Sequence, residues 1–141
     1  MAGWGNTFRK ALNDLVYKGS AFTSPNGVIY IGLHIGDPGP DGQTANEVSG
    51  NGYQAKATAA SDWNVGTLAD PSVVTNANAI TFATPTGSWG LVTYFSQWNH
   101  LTNRAPANFI GANALLVPVT VSSGVPLSFP PSSLAHSFDS V

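Results

Sequence analysis

The sequence predicts an all-β domain: an antiparallel β-sandwich, jelly-roll-like, with one short N-terminal α-helix. Three observations carry this. Only 9% of residues are charged, against about 25% in an ordinary domain. Fifteen Gly and ten Pro punctuate the 141 residues. Between these breaks lie short runs rich in β-branched and aromatic residues, the pattern of a sandwich or barrel. The length suits one domain, read as a sandwich over 1–129 followed by a C-terminal tail over 130–141.

Residues 7–18 read as the helix. Phe8, Leu12, Leu15 and Val16 recur at helical spacing and share a face. Asn6 or Thr7 is placed to cap its start, and Gly19 to close it in the left-handed conformation. After the turn signal Pro25-Asn26-Gly27, residues 28–35 form the clearest strand, apolar on both faces and so central. Residues 36–52 hold two prolines and five glycines; they read as a long surface loop set by turn geometry. Further strands are expected at 53–59, 72–75, 79–83, 88–98, 107–117 and 125–129. In the longest run, Val92, Tyr94, Ser96 and Trp98 are expected on one face and Leu91, Thr93, Phe95 and Gln97 on the other.

Composition excludes several functions. Five Lys and Arg against seven Asp and Glu give a formal charge of −2, which makes no basic patch for nucleic acid. With no cysteine, disulfides, thiolate metal sites and cysteine nucleophiles are ruled out. No run reaches the roughly 20 apolar residues of a membrane span. The first twenty residues mix Arg9, Lys10, Asp14 and Lys18 with apolar positions, unlike an export signal; a protein made in a cytoplasm and not exported is expected. So little charge fits a surface covered by partner subunits.

The residues that carry chemistry form no strong pattern. Asp37, Asp41 and Glu47 share one loop and have carboxylates suited to Ca²⁺, but not at EF-hand spacing. His34, His100 and His136 make no zinc pair. Asp62 and Asp70 are candidates only by elimination for a two-carboxylate glycosidase. No Gly-x-Ser-x-Gly elbow and no phosphate-cradling glycine loop is present. No catalytic residue, cofactor or metal is therefore expected. Trp63, Trp89, Trp98, Tyr94 and Phe95 are read as core or interface aromatics, the alternative being a platform that stacks on sugar rings. Trp4, between glycines, reads as an aromatic anchor for another surface. In the tail, Pro130-Pro131 stops the last strand, and Leu134 and Phe138 are spaced to share one helical turn against a neighbour. The candidate interface is thus Trp4, Phe8, Leu12, Leu134 and Phe138.

Three segments appear in a telling order: Leu33-His34-Ile35-Gly36-Asp37-Pro38-Gly39, then Asn46-Glu47-Val48-Ser49-Gly50-Asn51-Gly52-Tyr53, then Trp89-Gly90-Leu91-Val92-Thr93-Tyr94-Phe95. Their order and spacing over about residues 8–130 resemble the small tail-fibre-like or minor tail proteins of tailed bacteriophages. Two features depart from that pattern: Tyr53-Gln54-Ala55-Lys56, where the family has Tyr-Ala-Arg, and the 130–141 extension. The resemblance implies a non-catalytic virion component, on tail, fibre or capsid surface as a decoration or cement protein. It would be associated with other virion proteins and with copies of itself. The alternative from the residues is a carbohydrate-binding sandwich that recognises a host glycan.

Overall fold

A computed structural model describes residues 3–21, 28–43, 45–69 and 71–138, with the backbone alone at Phe138. The expected turn at Pro25–Gly27 and the glycosidase candidate Asp70 lie outside these residues. In chain order the elements are β1 (Gly3–Trp4), α1 (Asn6–Lys18), β2 (Ile29–His34), β3 (Lys56–Thr58), β4 (Ser72–Thr75), β5 (Ile80–Thr81), β6 (Gly90–Trp98), β7 (Phe109–Val121), β8 (Ser128–Phe129) and β9 (Ala135–Phe138). They form a five-stranded sheet ordered β1-β7-β6-β2-β3 and two ribbons, β4-β9 and β5-β8. All pairings are antiparallel. The architecture is the expected all-β sandwich with a short N-terminal helix.

The main core lies between the sheet and the ribbons. Ile31 and Leu33 of β2, Val92 and Phe95 of β6, and Leu115 and Val121 of β7 meet Ile80 of β5 and Phe129 of β8. A smaller cluster of Trp98, Phe109, Ala112 and half-buried Tyr30 forms a second one. Tyr30 and Ile31 are neighbours on a strand, so the two clusters occupy opposite faces of the sheet. Val92 and Phe95, expected on opposite faces, share the main core. The reason is a break of register between Val92 and Tyr94, where Val92 faces Val119 but Tyr94 faces Ala114. Such an irregularity turns over the alternation on which the expectation rested.

The helix begins one residue earlier than expected, with Gly5 at the N-cap and no side-chain cap. Its end is as read: Gly19 sits at φ 63°, and the N–H groups of Gly19 and Ser20 bond to the carbonyls of Leu15 and Asp14. Lys10 pairs with Asp14 one turn on. None of the helix residues is fully buried, and Val16 and Tyr17 are 66% and 84% exposed.

The tail is the main correction. Residues 130–138 do not leave the domain. Leu134 is 0% exposed in the main core, and β9 pairs with β4 from Thr75↔Ala135 to Ser72↔Phe138. A buried side chain, Asn76, holds this segment in place. Its Oδ1 accepts from Leu134 N at 2.9 Å, and its Nδ2 donates to Pro130 O at 2.8 Å. Asn76 N also bonds Leu134 O, and Ser132 N bonds Asn76 O. Pro130-Pro131 ends one strand, as read, but the chain then turns back and supplies another.

Candidate functional site

Across the sheet from the main core, the chemistry-bearing residues gather under the 36–48 loop. His34 ends β2, fully buried. Its Nδ1 lies 2.9 Å from Asn46 Oδ1 and its Nε2 lies 2.7 Å from Ser96 Oγ, which comes from the adjacent strand β6. Trp98 Nε1 donates to the same Ser96 Oγ at 2.7 Å, and Asn46 Nδ2 donates to Asp37 O at 2.7 Å. Burial, partly opposed by the Asn46 hydrogen bond, pushes the His34 imidazole below its ordinary pKa. The neutral ring carries one proton, and one arrangement then satisfies every group. Trp98 donates to Ser96, Ser96 to His34 Nε2, His34 Nδ1–H to Asn46, and Asn46 to the Asp37 carbonyl.

A second set of bonds runs beside this chain. Arg104 makes a two-point ion pair with Glu47, Nε to Oε2 and Nη2 to Oε1, each 2.8 Å. Its guanidinium lies 4.6 Å from the centre of the Trp98 ring. Tyr53 donates to Glu47 Oε1 at 3.0 Å and accepts from Leu33 N at 2.8 Å. Burial, with the Glu47 carboxylate adding to it, holds that phenol protonated well above its usual range. A β-bridge joins His34 and Glu47, and Val48 is buried in the main core. The loop expected to follow turn geometry alone is therefore bolted to the sheet at several points.

Chain geometry leaves no slack here. Gly42 has φ +67°, and a Cβ on it would stand 2.6 Å from the Trp98 ring and 2.7 Å from Phe109. A Cβ on Gly32 would stand 2.5 Å from Ser96 Oγ. Ser96, His34 and Asn46 have the hydrogen-bond order of a nucleophile, a base and an orienting group. Yet Ser96 and His34 are both 0% exposed, and the Trp98 N–H already occupies Ser96 Oγ. In this arrangement the three act as a structural lock.

The acids considered for calcium are held separately. Asp37 Oδ1 accepts from Gly39 N, Glu47 faces Arg104, and Asp41 Oδ2 lies 3.4 Å from Asn6 Nδ2. Among the described residues no three His, Asp or Glu side chains converge as metal ligands. Of the aromatics considered for sugar stacking, Trp89, Trp98 and Phe95 are buried, while Trp63 and Tyr94 are half-buried.

The candidate interface residues divide. Trp4 and Phe8 stack on each other, centroids 4.5 Å apart and planes 13° apart. His136 of β9 meets Trp4 edge-on at 4.6 Å. Leu12 is half-buried on the helix. Leu134 is taken into the chain's own core, which corrects its reading as a partner anchor; for Phe138 the backbone pairs with Ser72. His136 is 4% exposed, and neither ring nitrogen has a hydrogen-bond partner among the described residues. Burial lowers its pKa to about 4.

Sequence reasoning missed Ser96, Tyr53 and Arg104 as members of one cluster. One signal was available: Arg104 is the last cation of the chain and stands alone after Lys56. A lone cation in so uncharged a chain calls for a specific acid.

A family model described as Podophage GP4 fiber I protein gp80 matches residues 3–137. No curated protein matches the chain.

Proposed function

The chain belongs to the family of Podophage GP4 fiber I protein gp80, and on that premise we propose that it is a non-catalytic subunit of a phage tail fibre, mounted on other virion proteins through its N-terminal helix. The observation that carries this reading is the family match, which spans nearly the whole described chain. The structure supports it in kind. The residues with chemical potential are spent on locking a loop, whereas the helix leaves Leu15, Val16 and Tyr17 outward. An amphipathic helix with an uncovered apolar end is a common docking element. The reading includes assembly with copies of the same chain.

The mount also reassigns the expected contact residues. Trp4 and Phe8 serve by stacking the helix onto β9, and the surface offered to a partner is Leu15, Val16 and Tyr17. The test is incorporation into particles. Val16→Asp combined with Tyr17→Ser leaves the melting temperature within a few degrees, because both positions are exposed, and sharply lowers the amount of this protein in purified virions. Undiminished incorporation overturns the helix mount. Absence of the wild-type protein from purified particles overturns the fibre reading itself.

A further inference from the structure

We propose that residues 3–18, β1 together with α1, form a latch that lifts from the sheet in mild acid, and that His136 is the group that releases it. The inference rests on the reading of α1 as the mount and names how that site is regulated.

The latch is lightly tied among the described residues. β1 pairs with β7 over Gly3↔Ala112 and Trp4↔Gly111. The Gly5 N–H donates to Ile110 O at 2.7 Å and the Asn6 N–H to Pro40 O at 3.0 Å. No residue of α1 is fully buried, and a helix of 13 residues hardly holds by itself in water. The remaining fastening is the stack of Trp4 on Phe8, with His136 against the Trp4 ring.

His136 lies where the latch meets the body. A Cβ on Gly111, the partner of Trp4, would stand 2.9 Å from His136 Cε1. The imidazole therefore rests both on the Trp4 ring and on the backbone with which Trp4 pairs. It is 4% exposed, and neither nitrogen has a partner among the described residues. The neutral ring thus forgoes the one donated and one accepted bond that water would give it. A protonated ring would bury a charge and two unmatched N–H groups, at a far larger cost.

No counter-charge is at hand. β1, β4 and β7, the strands packed on β9, carry no acidic, basic or tyrosine side chain. On α1, Arg9, Lys10, Tyr17 and Lys18 are exposed, and Asp14 is paired with Lys10. Burial alone lowers the His136 pKa to about 4. Water reaches the ring when Trp4 moves away, so proton uptake and lifting are one event. Lifting also has a use. It uncovers Trp4 and Phe8 and adds two aromatic rings to the outward Leu15, Val16 and Tyr17, and aromatic anchors dominate protein contacts.

The experiment is amide hydrogen exchange of the purified full chain at pH 7.5 and pH 5, each rate divided by the intrinsic rate at that pH. The amides of Gly5 and of residues 10–18 report the latch, and that of Phe95 reports the body. The latch amides are expected to be less protected than Phe95 at both pH values. A lifted His136 regains its ordinary pKa of 6.5, against about 4 when latched. The lifted population then rises about thirtyfold from pH 7.5 to pH 5, and latch protection falls by that factor. His136→Leu and His136→Phe, the second keeping an aromatic edge for Trp4, are each expected to abolish this fall. Equal protection of latch and Phe95 at both pH values means a single unfolding event and overturns the latch. Wild-type latch protection that does not change with pH overturns the acid release. A fall that persists in either folded variant overturns His136 as its cause. The mount itself stands or falls separately, on incorporation of the Val16→Asp, Tyr17→Ser protein into virions.

Discussion

Phe95 and Ser96 are consecutive on β6, yet they belong to two different kinds of interior. Phe95 faces the ribbons and belongs to a core of predominantly apolar side chains. Ser96 faces the 36–48 loop and sits between His34 and Trp98 in a chain of directed bonds. One face is held by area, which tolerates small shifts. The other is held by geometry, where each polar group has its place because a partner supplies it. The difference teaches how a chain with so few charges keeps the 36–48 loop in place: it spends one ion pair and a relay of neutral donors.

The largest expected effect tests the face held by area. Phe95→Ala removes a fully buried ring and should cost about 3–5 kcal/mol. Because no titratable group touches that loss, urea midpoints for wild type and variant should differ by the same free energy at pH 5 and pH 8. A loss that varies with pH would mean that the two faces are coupled.

A third region combines both characters. His136 is packed like an apolar residue but can take up a proton. Its pKa falls from 6.5 in the unfolded chain to about 4 in the fold. The unfolded chain therefore binds more protons between these values, and stability falls as pH drops from about 6.5 to 4, then levels off. The full loss is roughly 3 kcal/mol. Burial gives His34 the same sign, so the test is a difference: chemical denaturation of wild type against His136→Leu over pH 4–8. The variant should lack about that much of the acid destabilisation. Parallel curves would show that His136 is not the group responsible.

The smallest effect belongs to the face held by geometry. Ser96→Ala leaves the Trp98 N–H and one nitrogen of His34 without a partner, and should cost about 2 kcal/mol. Ser96→Thr adds a methyl group next to Gly32 and should not rescue it. Hydrogen exchange gives the sharper readout: amides of residues 35–48 should lose protection while those of β4 and β9 keep it. Uniform loss over the whole sheet would count against a separate lock.

How much of this was legible in the sequence follows from the same contrast. Area-driven elements announce themselves through apolar runs and helical spacing, so β2, β6 and the helix fall close to their expected places. The register break at Val92 leaves no such trace, because it depends on how β7 pairs and not on the β6 residues themselves. Leu134 was misread for a related reason. Pro130-Pro131 signals an exit, and the return is enforced by Asn76, 58 positions away, whose buried carbonyl oxygen has no periodic signature. The lock combines residues from β2, the loop, β6 and the 99–105 segment. Hydrogen-bond partners so far apart in sequence obey no spacing rule, although the segment Asn46–Tyr53 was already singled out as a motif.

The contact between Trp4 and His136 also bears on timing. During synthesis the third and fourth residues emerge early, but their strand partner lies at Gly111–Ala112 and their ring partner at His136. The helix and its apolar end therefore wait, without a sheet to lie on, until β7 and β9 have left the ribosome. Pairings of such high contact order are also slow to form once the chain is free. The segment read here as the mount is thus secured late, and it is available to an assembling partner or a chaperone throughout that interval.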